Sequence, residues 1–200
     1  MAWMLCKTEA TANRMYARQK QELLKGLSGT ILEIGPGSGI NMEFYAPGAT
    51  WIGVEPNPAS LPHLHQKAAA LNLKAEVKHG YAEALDAPDS SVDYVVSTLV
   101  LCSVTSVEQT LREIKRVLKP GGKFIFIEHV AAPADTMTRS AQRLLNPLWR
   151  KIADGCHPDR ETWRLLKDAE FGELKFRRFK MQGALPIMAP HIMGTATKVA

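Results

Sequence analysis

The chain has few cysteines, no long apolar run and no dense tract of either charge, and each shortage removes a class of protein. Cys6, Cys102 and Cys156 are the only cysteines; they lie far apart and form no C-x-x-C pair, which excludes a disulfide framework and a zinc-ligand pattern. No metal is therefore expected, and a reducing, cytoplasmic setting follows. The opening Met-Ala-Trp-Met-Leu turns polar at Lys7, too short for a signal core and far too short to cross a bilayer. Trp3, Met4 and Leu5 leave room only for a peripheral membrane contact. Although the formal charge is +5, the excess is local: residues 139–180 hold 11 Lys or Arg against 6 Asp or Glu, without the runs that mark nucleic-acid contact. A solvated, weakly anion-attracting face is expected, and no nucleic-acid partner. Repeats and low-complexity tracts are also missing. What remains, 200 residues at 46% hydrophobic, suits one substantial core: a single domain over 1–200, expected as a monomer.

Against that background stands Ile31-Leu-Glu-Ile-Gly-Pro-Gly-Ser-Gly39, an apolar run breaking into three alternating glycines. Thr30 to Ile34 has the length and residue types of a buried strand, and Gly35, Gly37 and Gly39 allow a tight turn without Cβ atoms blocking a ligand. A second apolar run, Trp51-Ile-Gly-Val, ends in Glu55, where a carboxylate can accept hydrogen bonds from both hydroxyls of a ribose. The pairing points to a nucleotide-like cofactor. The dinucleotide fingerprint would want glycine at position 40, which is Ile.

The rest of the chain alternates. Ala10 to Leu27 has helical character, Asn41 to Tyr45 is a short helix stopped by Pro47-Gly48, and Ala59 to Leu71 is a helix with His63 and His65 toward solvent. Lys74 to His79 and Tyr94 to Thr98 read as strands; Val107 to Leu118 is an amphipathic helix stopped at Pro120-Gly-Gly122, and Lys123 to Val130 is a fifth strand. Five strands alternating with helices imply an α/β fold, a parallel sheet covered on both faces. Beyond His129 the spacing predicts a helix over Thr136 to Ile152 interrupted by Pro147, another over Asp159 to Phe171, and a terminal antiparallel hairpin from Leu174 to Met181 and Ile192 to Val199.

Four elements in register, Leu32-Glu-Ile-Gly-Pro-Gly-Ser-Gly39, Gly53-Val-Glu55, Gly80-Tyr-Ala-Glu83 and Arg116-Val-Leu-Lys-Pro-Gly-Gly122, resemble the class I methyltransferases that use S-adenosylmethionine. The resemblance implies a Rossmann-like, doubly wound seven-stranded sheet with an antiparallel C-terminal strand, in agreement with the hairpin. Phe44-Tyr45-x-Pro-Gly48, Pro56-Asn-Pro58, Thr98-Leu-Val-Leu-Cys-Ser-Val104, Glu128-His-Val130, Asp154-Gly-Cys156, Arg160-Glu-Thr-Trp163 and Pro190-His-Ile-Met-Gly194 further resemble the methyltransferase-like 7 group, whose human members are membrane-associated alkyl-thiol S-methyltransferases. This likeness runs from about Asn13 to the end. The human proteins carry an apolar N-terminal anchor where this chain has only Trp3-Met-Leu5. Residues 1–28 are expected as an N-terminal helical segment and 131–172 as a cover on the acceptor side.

By the same resemblance Glu33 lies near the methionine amino end of the cofactor, with Gly35, Gly37 and Gly39 giving the backbone close approach. Glu55, followed by Pro56, binds the ribose; Tyr81, Ala82 and Glu83 border the adenine; Leu99 to Ser103 lies beside the methyl donor. Cys102, in an apolar stretch, reads as a buried thiol more than as a nucleophile. His157, His129 and His191 are candidates for a general base, with Asp154 as a possible orienting carboxylate. Trp149, Trp163, Phe171 and Met188 fit either an acceptor pocket or the core. The reaction expected is an in-line displacement giving S-adenosylhomocysteine, most simply on a small alkyl thiol. A quinone precursor, a lipid, another small apolar acceptor, or cofactor binding without turnover are the alternatives. Near-attack positioning can supply roughly 7–11 kcal/mol, more than the ~3–5 kcal/mol of a typical acid–base group, so donor contacts should outweigh any one histidine.

Overall fold

Apolar residues fill both faces of the inner strands, so the sheet must be covered on both sides. A computed structural model of the chain describes residues 15–199. Its strands are β1 (Thr30–Ile34), β2 (Thr50–Glu55), β3 (Lys74–His79), β4 (Val92–Thr98), β5 (Leu118–His129), β6 (Glu173–Lys180) and β7 (Pro190–Thr197). They form one sheet in the order β3-β2-β1-β4-β5-β7-β6. The first five are parallel, and β7 lies antiparallel between β5 and β6. The terminal hairpin is therefore present, as is the seven-stranded Rossmann-like sheet. The strand order reverses between β1 and β4, and the crevice beyond the carboxyl ends of those strands is where such sheets bind ligands.

Neighbouring residues along each strand divide between two cores, as a period of two requires. Leu32, Ile34, Val95, Phe124 and Phe126 pack with Leu111, Ile114 and Leu166 on one face. Ile31, Trp51, Val96 and Ile125 pack with Leu24 and Leu64 on the other. The covering helices are α1 (15–24), α2 (Leu61–Ala70), α3 (Val107–Val117), α4 (Met137–Ile152) and α5 (Thr162–Asp168). On α1, Tyr16, Lys20 and Leu24 are buried at four-residue spacing, one helical face turned inward. Helix α3 starts where the Ser106 side chain accepts a bond from the Gln109 amide, and its buried stripe is Val107, Leu111, Ile114 and Val117.

Two of the differences from the sequence reading concern prolines, and α5 is shorter than the expected Asp159 to Phe171. Strand β5 begins at Leu118, ahead of Pro120-Gly-Gly122, with a register shift where Val92 gives way to Tyr94 across the ladder. Helix α4 is not interrupted at Pro147; it continues to Ile152. Its first turns are fastened by the Thr136 cap and by buried Arg139 and Gln142, so the proline costs a backbone hydrogen bond without ending the element. The outer side of α4 exposes Met137, Leu144, Leu148 and Ile152. Residues 10–14 of the expected first helix, Cys6 and the Trp3-Met-Leu5 contact lie outside the described residues. No helix among the described residues is long and apolar enough to cross a membrane.

Candidate functional site

The β1–β2 connection opens with a loop built from backbone. Gly35, Gly37 and Gly39 all have positive φ, at 55°, 57° and 72°. A Cβ on Gly35 would stand 2.7 Å from Val100 Cγ2, whereas one on Gly37 would meet nothing, so the backbone there borders open space. Glu55 fixes its shape: Oε2 accepts from the Gly37 amide at 2.9 Å and Oε1 from the Asn57 amide at 3.0 Å. Each oxygen keeps a second lone pair for a hydroxyl donor.

Glu33 is 2% exposed and faces inward, accepting from Asn41 Nδ2 (2.8 Å), Tyr45 Oη (2.7 Å) and Trp51 Nε1 (2.9 Å). Burial raises its carboxyl above the ordinary range, against those three bonds. Its reach toward a ligand therefore runs through Asn41. Asn41 Nδ2 also donates to Thr98 Oγ1 at 3.0 Å, yet Asn41 Oδ1 is buried with no partner. Lys20, on α1, is buried near Glu33, and desolvation brings its amine down to about 8. An orphaned acceptor and a buried cation flanking one carboxylate would be satisfied by the ammonium and carboxylate of an amino acid. The donor set thus fits the amino-acid end of S-adenosylmethionine. Neither Lys20 nor Asn41 had a signal in the sequence beyond proximity to the loop.

The expected adenine border is looser. Tyr81 is 60% exposed and Ala82 buried. Glu83 Oε1 accepts from the Thr105 and Ser106 amides, so its side chain secures the start of α3 instead of facing the crevice. Pro56 is exposed, its carbonyl 3.1 Å from His79 Nε2.

At the end of β4, Leu99 has φ 61°, a left-handed conformation that costs a non-glycine residue roughly 1–2 kcal/mol. Glu128, wholly buried on β5, offsets it by accepting from Ser97 Oγ and from the Val100 and Leu101 amides. Burial pushes the Glu128 carboxyl up to about 7. The sequence marked Glu128 only as part of a motif; its role depends on contacts across the sheet.

Beyond it, His129 on β5 and His191 on β7 sit opposite each other in register. His129 Nε2 lies 3.0 Å from the Ile187 carbonyl, which can only accept, so the proton is on Nε2 and Nδ1 is an acceptor. That Nδ1 is 3.9 Å from Cys156 Sγ. By the same logic His191 Nδ1 donates to Ala189 O at 3.0 Å, and Nε2 accepts from Tyr16 Oη at 2.7 Å. Burial lowers His191 to about 4, keeping it neutral, and raises the Tyr16 phenol. Gln142 of α4 closes this side, donating to the Ile187 and Val130 carbonyls and accepting from the Ala132 amide.

His157 is joined to this region by its backbone, its amide donating to Cys102 O at 2.8 Å. The structure does not bring it together with Asp154, which is exposed, has φ 44° and accepts no bond from the imidazole. Burial, then Arg160 and Arg150, lowers the His157 pKa. Trp163 lies in the core beneath the Arg178 guanidinium at 4.3 Å, and Phe171 stacks on Phe124, so both belong to packing. Met188 is half-buried in the turn before β7, and the Trp149 indole approaches Cys156. No cluster of three or more potential metal ligands occurs among the described residues.

A family model described as a methyltransferase domain matches residues 32–126. The chain is 41% identical to thiol S-methyltransferase TMT1B of Rattus norvegicus, over 96% of this chain and 80% of that protein. It is 38% identical to thiol S-methyltransferase TMT1A of Homo sapiens, over 98% and 85%. A solved SAM-dependent methyltransferase from Methanosarcina mazei superposes with a TM-score of 0.67 at 25% identity, covering 85% of this chain and 92% of the other.

Proposed function

The chain belongs to the class I methyltransferases, and from that premise we propose that it transfers the methyl group of S-adenosylmethionine to the sulfur of a small alkyl thiol. The observation that carries the donor is the glycine loop closed by Glu55 beside the orphaned Asn41 Oδ1. The likeness to TMT1A and TMT1B along nearly the whole chain supports the acceptor.

When bound, S-adenosylmethionine supplies a methyl group on a cationic sulfur, open to displacement in line. Glu55 accepts the ribose hydroxyls while still holding Gly37. Asn41 Oδ1 takes the ammonium and Lys20 the carboxylate of the amino-acid end. Glu128 holds the Leu99–Leu101 turn, so that the wall beside the methyl group is already in place. Residues 131–172 cover the acceptor side, where neutral His191 and its Tyr16 bond avoid a second positive charge near the donor.

A thiol of pKa ~8.5 is already a few per cent thiolate at neutral pH, so alignment matters more than a strong base. His129 Nδ1 is engaged with Cys156, and His157 lacks an orienting carboxylate; neither is needed as the proton acceptor. The test is incubation with methyl-labelled S-adenosylmethionine and an acceptor panel containing alkyl thiols. Label on sulfur is expected. Label on carbon or oxygen acceptors, and never on sulfur, would reject the thiol reading.

A further inference from the structure

The methyl-transfer mechanism leaves a buried sulfur cluster without a task. Cys156, in the turn between α4 and α5, and Cys102, three residues beyond Leu99, are both free thiols and both buried. The His157 amide bond to Cys102 O at 2.8 Å fastens one chain segment to the other and so brings Cys156 beside Cys102. Such apposition is what a disulfide requires.

The two sulfurs differ in surroundings. Cys156 faces His129 Nδ1, whose tautomer is set by the Ile187 carbonyl and leaves it ready to take a proton. The Trp149 indole N–H, buried and without a hydrogen-bond partner, lies near the same sulfur. The Arg160 guanidinium, bonded to the Leu101 and Val104 carbonyls at 2.7 and 2.8 Å, adds a nearby positive charge. His129 and Trp149 favour a thiolate at Cys156 in particular, and Arg160 favours one at either sulfur. Cys102 instead sits 3.6 Å from Leu99 O, an acceptor for its S–H, and within the field of buried Glu128, which keeps it a thiol. One sulfur is prepared to attack and the other to follow.

We propose that Cys156 and Cys102 form a thiol–disulfide exchange centre that reacts with small-molecule disulfides, the oxidised form of the acceptor class. Cys156 gives its proton to His129 Nδ1, and its sulfur attacks one sulfur of the disulfide RSSR. The S–S bond breaks, RS⁻ leaves and takes the proton from His129, and Cys156–S–S–R remains. Cys102 then attacks the Cys156 sulfur, its proton passing to the second departing RS⁻. The balance is RSSR plus two protein thiols giving two RSH and one protein disulfide. Because the Cys102–Cys156 bond ties the turn beside Leu99 to the acceptor cover, methyl transfer stops until a reductant reopens it. This regulation rests on the acceptor reading given above; the exchange chemistry does not.

The test uses the full chain with Cys6→Ser, reduced and then incubated with hydroxyethyl disulfide, followed by intact mass and peptide mapping. The expected product is a Cys102–Cys156 disulfide, with Cys102→Ser trapping a mixed disulfide on Cys156 and Cys156→Ser leaving Cys102 unreacted. Methylation of an alkyl thiol should fall by about tenfold or more after exchange and return after a phosphine reductant. A folded protein that forms neither adduct nor disulfide while its unfolded form reacts would overturn the proposal. So would methylation of Cys156 by S-adenosylmethionine alone, which would make it an acceptor. Disulfide formation with unchanged turnover would overturn the regulation. If no thiol is methylated at all, the acceptor reading fails while the mass measurements still decide the exchange.

Discussion

The glycine loop proposed for the donor is shaped chiefly by backbone, and the region proposed for the acceptor by side chains. Around Gly35–Gly39 the three glycine amides are held in turn by Val54 O, Glu55 Oε2 and Pro36 O. Around His129 and His191 the bonded groups are imidazoles, a phenol and the Cys156 thiol, drawn from α1, β5, β7 and the α4–α5 turn, each oriented by a carbonyl or by one another. A backbone site tolerates change poorly, because one altered residue moves the whole loop. A site assembled from several elements can lose one member and keep its shape.

The largest expected effect tests that asymmetry. Glu55→Ala removes two charge-assisted bonds, one to the Gly37 amide of the loop and one to the Asn57 amide, as well as the proposed hydroxyl contacts. At ~1.5–3 kcal/mol per bond, binding of S-adenosylhomocysteine measured by calorimetry should weaken by roughly a hundredfold or more. His157→Ala should leave that binding intact and reduce turnover only partly. Equal collapse of turnover in both, with the product still bound by the second, would break the comparison.

Next in size is Glu128, between the two sides. Its folded-state pKa, about 7, exceeds the ordinary 4.5, so the stability linked to its proton is complete below pH 4.5 and is lost as the pH rises through 7. Relative to Glu128→Gln, the wild type should lose on the order of 3 kcal/mol across that window, read from denaturant unfolding at several pH values. A constant difference would show that the carboxyl is ionised throughout.

Gly35→Ala should cost about 2 kcal/mol, from the left-handed backbone and the Val100 contact, with a lower melting temperature and weaker donor binding together. A lower melting temperature alone would separate loop strain from ligand contact. The smallest effect belongs to the acceptor side: Tyr16→Phe leaves His191 Nε2 unpaired at a cost of about 1 kcal/mol. Turnover should fall less than tenfold, with donor affinity unchanged by calorimetry; a fall matching Glu55→Ala would end the distinction between the two sides.

The same contrast decides how much could be read from the sequence. Strands β1 and β3 fall where the apolar and alternating runs place them, and the glycine loop with Glu55 is legible because its parts are local. Helix α4 is misread at Pro147, since the local penalty was visible and the anchoring by Arg139 and Gln142 was not. The pairing of His129 with His191, and the bonds of each to Ile187, Cys156, Ala189 and Tyr16, arise from β7 entering between β5 and β6. No spacing rule brings Tyr16 to the end of β7. Asp154 and His157, near neighbours in the sequence, are not partners because the left-handed turn at Asp154 leaves its carboxylate exposed.

The Gly37 amide is bonded to Glu55, and the Gly35 and Gly39 amides to the Val54 and Pro36 carbonyls, so the fold itself holds the loop. The loop's conformational entropy is therefore surrendered during folding and does not weigh against the ligand on each encounter. Donor and spent product should then exchange without a loop-ordering step, and their residence times should reflect contacts alone.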